Sequence, residues 1–441
     1  MTSGEKTTSD APRIVSDVVC AFCGLGCDDL EVAVAGRRVT PRKACAEAAR
    51  LLARGEAAPP GPRIGGAPAD LPQAAAAAAG LLSAARATAI TGLGADLEGL
   101  RRLYDLAMTG GASFDHAASP GLFANLERLA RRGWIAATLA EVRNRCDVLV
   151  VLGDDPAPAF SRFFERAVPH AAMGAGADAA PLFVARSLKR RIVIVGGALG
   201  EASRRALAGH EVAQIPVPAD GIATAAAALA AFLAGRDVDG LAGMDGATAA
   251  ALAELAGLLK AARYGVLTWN AASLPPADAA AVAGAAADAV DLLNVATRAA
   301  VFPLGGRDNV TGAHQLALWR FGYPLRTVVG AGTARHVPDL YATEAALADA
   351  DLVLHACAFR PDPPPDFAGG PVIALAHPDT VFVREPDVFI PVGTPGVDHA
   401  GHVFRMDSVV CLPLQALRPQ DLPSMADAAR AILAAMGGRA A

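Results

Sequence analysis

No long run of lysines or arginines occurs in this 441-residue sequence, and its formal charge is −5. It therefore lacks the positive field that a phosphate backbone requires, and nucleic acid is not expected as a partner. Nor is there an apolar run of bilayer length. The longest such stretches, Ala74–Leu82 among them, are alanine-rich, short and punctuated by glycine, so no membrane span or membrane partner is expected. The first residues, Met1–Ser16, are polar and of mixed charge with no apolar signal core; a short unstructured lead and a cytoplasmic location are the expectation. There is no HxH pair, no GxSxG elbow and no HExxH helix, so the common metal- and serine-dependent hydrolytic motifs are missing. Finally, no cysteine lies between Cys45 and Cys146.

What the sequence has in quantity is apolar residues, 53% of the chain, enough to bury a large core across two to four subdomains without covalent staples. Short apolar runs bounded by Gly, Pro or Asp recur at Thr88–Gly92, Asp147–Gly153, Arg191–Gly197, Tyr264–Trp269, Asp351–His355, Pro371–Ala376 and Asp387–Val392, each strand-like. Between them, stretches such as Leu122–Arg143, Gly221–Ala234 and Thr248–Ala262 have helical spacing, and a last helix is expected over Pro423–Met436. Strand–helix alternation of this kind implies an α/β fold with parallel sheets covered by helices. Joints rich in proline and glycine fall at Ala57–Pro72 and Pro361–Pro371. No internal repeat is evident.

Seven cysteines are an odd number, and in a reducing compartment disulfides are a poor account of the tight group near the start. Cys20, Cys23 and Cys27 lie within eight residues, and Cys45 follows a hairpin-like stretch, Glu31–Val39. Four thiolates can surround a 4Fe–4S cubane, with Gly24 and Gly26 permitting the tight backbone wrap. Tetrahedral zinc is the competing occupant, although structural zinc more often uses two CxxC-like pairs. Cys146, Cys357 and Cys411 lie in apolar runs and read as small buried hydrophobes.

Two further stretches invite a binding reading. Gly153-Asp154-Asp155-Pro156 closes a strand at its carboxyl end, where open α/β sheets bind ligands, and Asp154 or Asp155 could accept hydrogen bonds from a guanine or a ribose; an ordinary strand-to-helix turn is the alternative. In GRDNVTGAHQLALWRFGYPLR, which begins at Gly306, the residues Gly312, His314, Trp319 and Tyr323 either line a cavity or cap and fill a core.

Taken together, the cysteine group, the strand and turn Asp147–Phe160, the segment Gly306–Pro338 and the segment Asp387–Leu412 resemble the B subunits of formylmethanofuran dehydrogenase, of the molybdopterin oxidoreductase family. Asp147–Phe160 resembles the Gly-x-Asn/Asp-Pro turn that holds one end of the pterin dinucleotide. Gly306–Pro338 resembles an Arg-Gly-Asn-Val-Ala-Gly…Trp…Gly-Tyr-Pro segment, and Asp387–Leu412 resembles the segment that ends those chains. The matches run from residue 18 to 413. The resemblance implies several Rossmann-like, parallel-sheet lobes of the formate dehydrogenase type and no C-terminal β-barrel. It implies a lead and small cysteine-bearing β domain at 1–60, a first α/β segment at 61–145, a Rossmann-like domain at 146–300 and a second α/β segment with the terminal helix at 301–441. It places Gly153, Asp154, Asp155, Pro156, Gly312 and His314 at an ancestral pterin cleft, and Cys20, Cys23, Cys27 and Cys45 around a 4Fe–4S type cluster.

One departure decides the expected function. Where the family carries a metal-ligating cysteine in a Cys-His-Gly-Pro turn, this sequence reads Gly111-Ala-Ser-Phe-Asp115-His116-Ala-Ala-Ser119-Pro120-Gly121. A soft metal site loses its defining ligand there, so a tungsten or molybdenum pterin is expected to be absent. His116 and Ser119 are the replacement candidates, with His116 expected on an exposed, solvated loop. The departure suits the formyltransferase/hydrolase complexes of methylotrophic bacteria, which convert formyl-tetrahydromethanopterin to formate through a formylated furan carrier. The expectation is a non-redox B subunit without catalytic residues of its own. Its sister subunits would be an amidohydrolase-like A subunit, a C subunit and a formyltransferase subunit, with a methanofuran-type carrier bound by the complex. The alternative is an active tungsten or molybdenum pterin subunit of formylmethanofuran dehydrogenase. A third reading has the cleft holding the carrier's polyglutamyl tail through His314, Arg307, Arg335 and Arg405.

Overall fold

All seven of the apolar runs form strands, and they lack polar alternation because both faces of each are covered: every residue of Val148–Leu152, Val372–Ala376 and Thr88–Gly94 is buried. In this computed structural model, which describes residues 11–168, 190–236 and 244–437, the chain divides into two units. The first combines 1–117 with 306–441, and the second is the intervening 118–305.

The first unit opens with β1 (Arg13–Val18), β2 (Leu30–Ala35) and β3 (Arg38–Lys43), followed by α1 (Ala46–Leu52), the two-residue strands β4 (Arg63–Ile64) and β5 (Ala67–Pro68), α2 (Leu71–Ala84), β6 (Thr88–Gly94), α3 (Leu97–Gly110) and β7 (Ala112–Phe114). The second unit contains α4 (Ser119–Arg132), α5 (Leu139–Arg145), β8 (Val148–Leu152), α6 (Phe163–Ala167), β9 (Arg191–Gly196), α7 (Glu201–Ala206), β10 (Glu211–Pro216), α8 (Ile222–Leu233), α9 (Gly246–Ala261), β11 (Gly265–Asn270), α10 (Pro276–Leu293) and β12 (Ala299–Leu304). The chain then returns to the first unit with α11 (Val310–Phe321), β13 (Thr327–Gly330), β14 (Thr333–His336), α12 (Thr343–Asp349), β15 (Leu352–Cys357), β16 (Val372–Ala376), β17 (Val388–Pro391), β18 (Gly401–Phe404), β19 (Cys411–Leu414) and α13 (Met425–Ala435).

In the first unit, β1, β2 and β3 make an antiparallel sheet, while the main sheet has the order β14-β13-β7-β6-β15-β16-β17-β4-β5. Its central strands β7, β6, β15, β16 and β17 are parallel, and the flanking pairs are antiparallel. All their carboxyl ends therefore lie along one edge. The second unit is a five-stranded parallel sheet, β10-β9-β8-β11-β12. Its core joins these strands to α8, α9 and α10 through Ala225, Ala228, Ala283, Ala286 and Leu252; alanine at the contacts lets the helices approach closely. Trp269 is fully buried there, and its indole N–H donates to Asn125 Oδ1 at 2.9 Å, which satisfies the one polar atom of the ring.

Two sequence expectations change. Leu122–Arg143 is not one helix: α4 ends at Gly133, whose φ of 68° is a backbone state that glycine adopts without penalty, and α5 restarts from the Thr138/Glu141 capping box. The lead is also shorter than Met1–Ser16, because Arg13–Val15 already pair with β2; residues 1–10 lie outside the described part. Among the described residues no helix is long and apolar enough to cross a membrane.

Candidate functional site

The loop between β1 and β2 carries Cys20, Cys23 and Cys27. Its ends are closed by the Cys20 N–H donating to the Cys27 carbonyl at 2.8 Å. Gly24 and Gly26 sit at φ 87° and 58°. A side chain on Gly26 would also strike Leu412 Cδ1 at 2.4 Å, so the wrap requires glycine there twice over. Cys45 stands at the start of α1, where its Sγ accepts the Ala48 N–H at 3.5 Å. Burial, and then the neighbouring Cys23 thiol, pushes the Cys20 thiol well up. Burial pushes the Cys23 thiol up to about 12, with Cys27, Glu47 and Cys45 adding to it. Among the described residues no group of three or more His, Cys, Asp or Glu is arranged to hold a metal ion. Of the remaining cysteines, Cys146 and Cys357 are buried as expected, whereas Cys411 is exposed because β19 sits in a two-stranded ribbon.

The cysteine loop is tied to the main sheet by an ion network. Arg360, just beyond the carboxyl end of β15, directs Nε to both oxygens of Asp308 at 2.7 Å, Nη1 to Glu47 Oε1 at 2.7 Å and Nη2 to the Phe22 carbonyl at 3.2 Å. Asp308 returns a second bond to the loop, its N–H donating to the same Phe22 carbonyl at 2.9 Å. Burial pushes the Asp308 carboxyl up, and Arg360 and Arg307 pull against it. Burial acts to lower Arg360, but Asp308 and Glu47 together hold it above its ordinary value. Asp308 and Asn309 both have left-handed backbones, φ 51° and 63°. That turn lets the Asn309 amide donate to the Ala95 carbonyl at 2.8 Å, beyond β6, and accept the Phe404 N–H at 3.0 Å. Gly312 is part of the same device: a Cβ on it would fall 2.4 Å from Asn309 Oδ1.

The stretch beyond β7 holds a buried carboxylate. Asp115 is buried, accepts the Thr343 N–H at 3.0 Å and hydroxyl at 3.2 Å, and lies 3.5 Å from Arg326 Nε. His116 is not the solvated loop residue expected from sequence. It is 1% exposed, with Nε2 3.1 Å from the Asp308 carbonyl, and burial lowers it to about 4; the loop meets the turn at 307–309 instead of lying over the surface. Further along the same carboxyl edge, Arg54 reaches His377 Nε2 at 3.0 Å and the Thr394 hydroxyl at 2.8 Å, and Asp398 takes the Thr394 N–H at 2.7 Å and Arg418 Nε at 2.5 Å. Burial, then the positive charge of Arg54, lowers His377 to about 3.

The sequence-selected cleft residues fall in different units: Gly312 and His314 in the first, Gly153, Asp154, Asp155 and Pro156 in the second. At the carboxyl end of β8, Gly153 has φ 117°. Asp155 is already committed, accepting from Gly200 N–H at 2.8 Å, Ser203 hydroxyl at 2.6 Å and Ala157 N–H at 3.0 Å, while Asp154 is exposed and Pro156 buried. In the first unit, His314 Nδ1 is buried without a hydrogen-bond partner, and burial followed by His336 lowers the ring to about 4. Trp319 is exposed, edge-on to Phe404, and Tyr323 stacks on His336, so neither fills a core. Arg307 and Arg405 are paired within the chain, to Asp362 and Asp407; Arg335 has no ion pair among the described residues and instead donates to the Tyr341 hydroxyl.

Comparison with known proteins bears on what this arrangement serves. The chain is 28% identical over 379 residues to the B subunit of the formyltransferase/hydrolase complex Fhc of Methylorubrum extorquens, covering 84% of this chain and 95% of the relative. The chain resembles these B subunits along its length. It is also 26% identical over 432 residues to the B subunit of the tungsten-containing formylmethanofuran dehydrogenase 2 of Methanocaldococcus jannaschii, covering 93% of this chain and 95% of that one. Among solved structures, the crystal structure of the FhcABCD formyltransferase/hydrolase complex of Methylorubrum extorquens with methylofuran contains a chain that superposes with a TM-score of 0.68 at 26% identity. That match covers 85% of this chain and 98% of the other. No family model matches. Against these B-subunit relatives, the Arg-Asp-Asn turn at 307–309 was legible as a motif, whereas Arg360, Glu47, Arg54 and His377 were not. Each meets its partner across a separation of more than 50 residues, and only the flanking Pro361 joint marked the neighbourhood of Arg360.

Proposed function

We propose that this chain is a non-redox B subunit of a formyltransferase/hydrolase complex, acting beside an amidohydrolase-like A subunit, a C subunit and a formyltransferase subunit in the cytoplasm. The complex as a whole would carry formyl groups from formyl-tetrahydromethanopterin to formate on a methanofuran-type carrier. The observation that carries the reading is Asp115: a chain similar to redox subunits nearly end to end has, at the metal-ligand turn, a buried carboxylate engaged by Arg326 and Thr343. That donor set does not suit a soft tungsten or molybdenum centre. The proposal includes Rossmann-like lobes of the formate dehydrogenase type without a closing β-barrel, divided at 1–60, 61–145, 146–300 and 301–441. In it, Gly153, Asp154, Asp155, Pro156, Gly312 and His314 are inherited cleft positions with no catalytic part.

Cys20, Cys23, Cys27 and Cys45 would hold a 4Fe–4S type cluster if one is loaded, with metal binding driving off the protons that burial now favours. The test is to purify the native complex anaerobically and measure iron, tungsten and molybdenum per copy of this chain, with spectra before and after dithionite. Formyl transfer and hydrolysis with neither tungsten nor molybdenum is the expected result; stoichiometric tungsten or molybdenum would overturn the proposal. It would also favour the second reading, an active pterin subunit, which the match to the tungsten enzyme's chain over 93% of this one keeps in view.

A further inference from the structure

A second place in the first unit has the makings of a binding site. At the amino ends of β6, β7 and β15, the edge opposite that of Arg360 and His377, lies a cavity of about 280 Å³ lined in part by Arg86, Thr88, Ser113, Arg335, Tyr341 and Asp349. Its volume is at the small end of ligand pockets. Thr88 is 4% exposed, and its hydroxyl has no hydrogen-bond partner. Native proteins rarely leave such a group unpaired, and a ligand or ordered water is the usual explanation.

The charges nearby are available. Arg335 donates to the Tyr341 hydroxyl and lies 5.7 Å from that ring's centre, with no carboxylate partner among the described residues. The Arg86 side chain is 94% exposed, 3.9 Å from Asp351, and that carboxylate is already occupied by the Arg86 and Ala87 N–H groups at 2.9–3.1 Å. Asp349 adds one negative charge to the lining, which opposes a multiply charged anion. The rest of the wall is apolar, Val328 and Leu340 with alanines between.

We infer that this cavity binds a small organic monocarboxylate, its carboxylate met by the Arg335 and Arg86 guanidiniums and the Thr88 hydroxyl and its apolar body against Val328 and Leu340. The Asp349 charge and the apolar wall disfavour inorganic phosphate. The test is calorimetric titration of the full chain with benzoate and, separately, with inorganic phosphate at equal ionic strength, repeated on Arg335→Gln and Thr88→Val. Benzoate is expected to bind one to one and at least tenfold more tightly than phosphate, and each substitution is expected to weaken it tenfold or more. Without ligand, Thr88→Val is expected to melt at or above the parent's temperature, because it removes an unmade hydrogen bond, and this shows that the variant folds. Absence of benzoate binding, phosphate binding as tight as benzoate, benzoate affinity unchanged by both substitutions, or a lower melting temperature for Thr88→Val would each overturn the assignment.

Discussion

Replacing Arg360 with methionine keeps most of the side chain's volume and removes its charge, leaving Asp308 buried at 6% exposure with only the half-exposed Arg307, whose Nε lies 3.1 Å from Oδ2, as a charged partner. Breaking a buried pair from one side costs about 3–5 kcal/mol, and the remaining contact with Arg307 puts the expected loss at the lower end of that range. Glu47, a third exposed, adds little to that figure because solvent screens it. The double substitution Asp308→Asn with Arg360→Met removes both charges, and asparagine tolerates the left-handed backbone at 308; more than half of the loss should return, a coupling of about 2 kcal/mol. Denaturant unfolding followed by circular dichroism reads the stability, and hydrogen exchange at residues 20–27 reads the loop that Arg360 clasps. The cost of the single change should shrink in acid. Burial already raises the Asp308 carboxyl, removing Arg360 raises it further, and a folded state that takes up the proton first gains stability as the pH falls through its pKa. A single-variant cost below about 1 kcal/mol, or additivity in the double variant, would refute the idea that this network holds the cysteine loop.

Three other outcomes follow from the same geometry. His116, His355 and His377 are lowered by burial to about 4, 4 and 3, so the unfolded chain binds protons that the folded one refuses. Each should cost up to about 3 kcal/mol as the pH drops from 6.5 to 4, and a denaturation midpoint flat between pH 7 and 5 would contradict this. Gly312→Ala should displace Asn309 and cost about 2–4 kcal/mol, whereas Gly257→Ala, in α9 with nothing within 4 Å of the added methyl, should stabilise by about 0.5–1 kcal/mol; equal effects in thermal melts would be the wrong result. Iron bound by the purified complex should fall on Cys23→Ser if the four cysteines hold a cluster, and elemental analysis with no change in iron would assign that metal elsewhere.

The parts of this protein that sequence makes visible are those whose cause is local. Doubly covered strands announce themselves as unbroken apolar runs, and all seven were placed within about two residues. Edge strand β10 does not, being exposed at all but one position, and the interior strand β7 is only three residues long, so neither carries an apolar run. The break at Gly133 was hidden because the periodicity resumes in α5. At the site, the cysteine spacing and the Arg-Asp-Asn turn were legible, but their meaning was not. His116 looked like a solvated loop residue because the turn it meets, at Asp308, is far along the sequence, and Asp308 became a clasp only through Arg360, 52 residues away.

The second unit is an insertion within the first, and this sets an order on synthesis. Glu47 and the cysteine loop leave the ribosome early, while their partner Arg360 is 313 residues behind Glu47, about 15–60 s at ordinary elongation rates. The intervening parallel sheet is continuous in sequence and can fold in that interval. The cysteine loop is therefore made well before the residue that ties it to the main sheet.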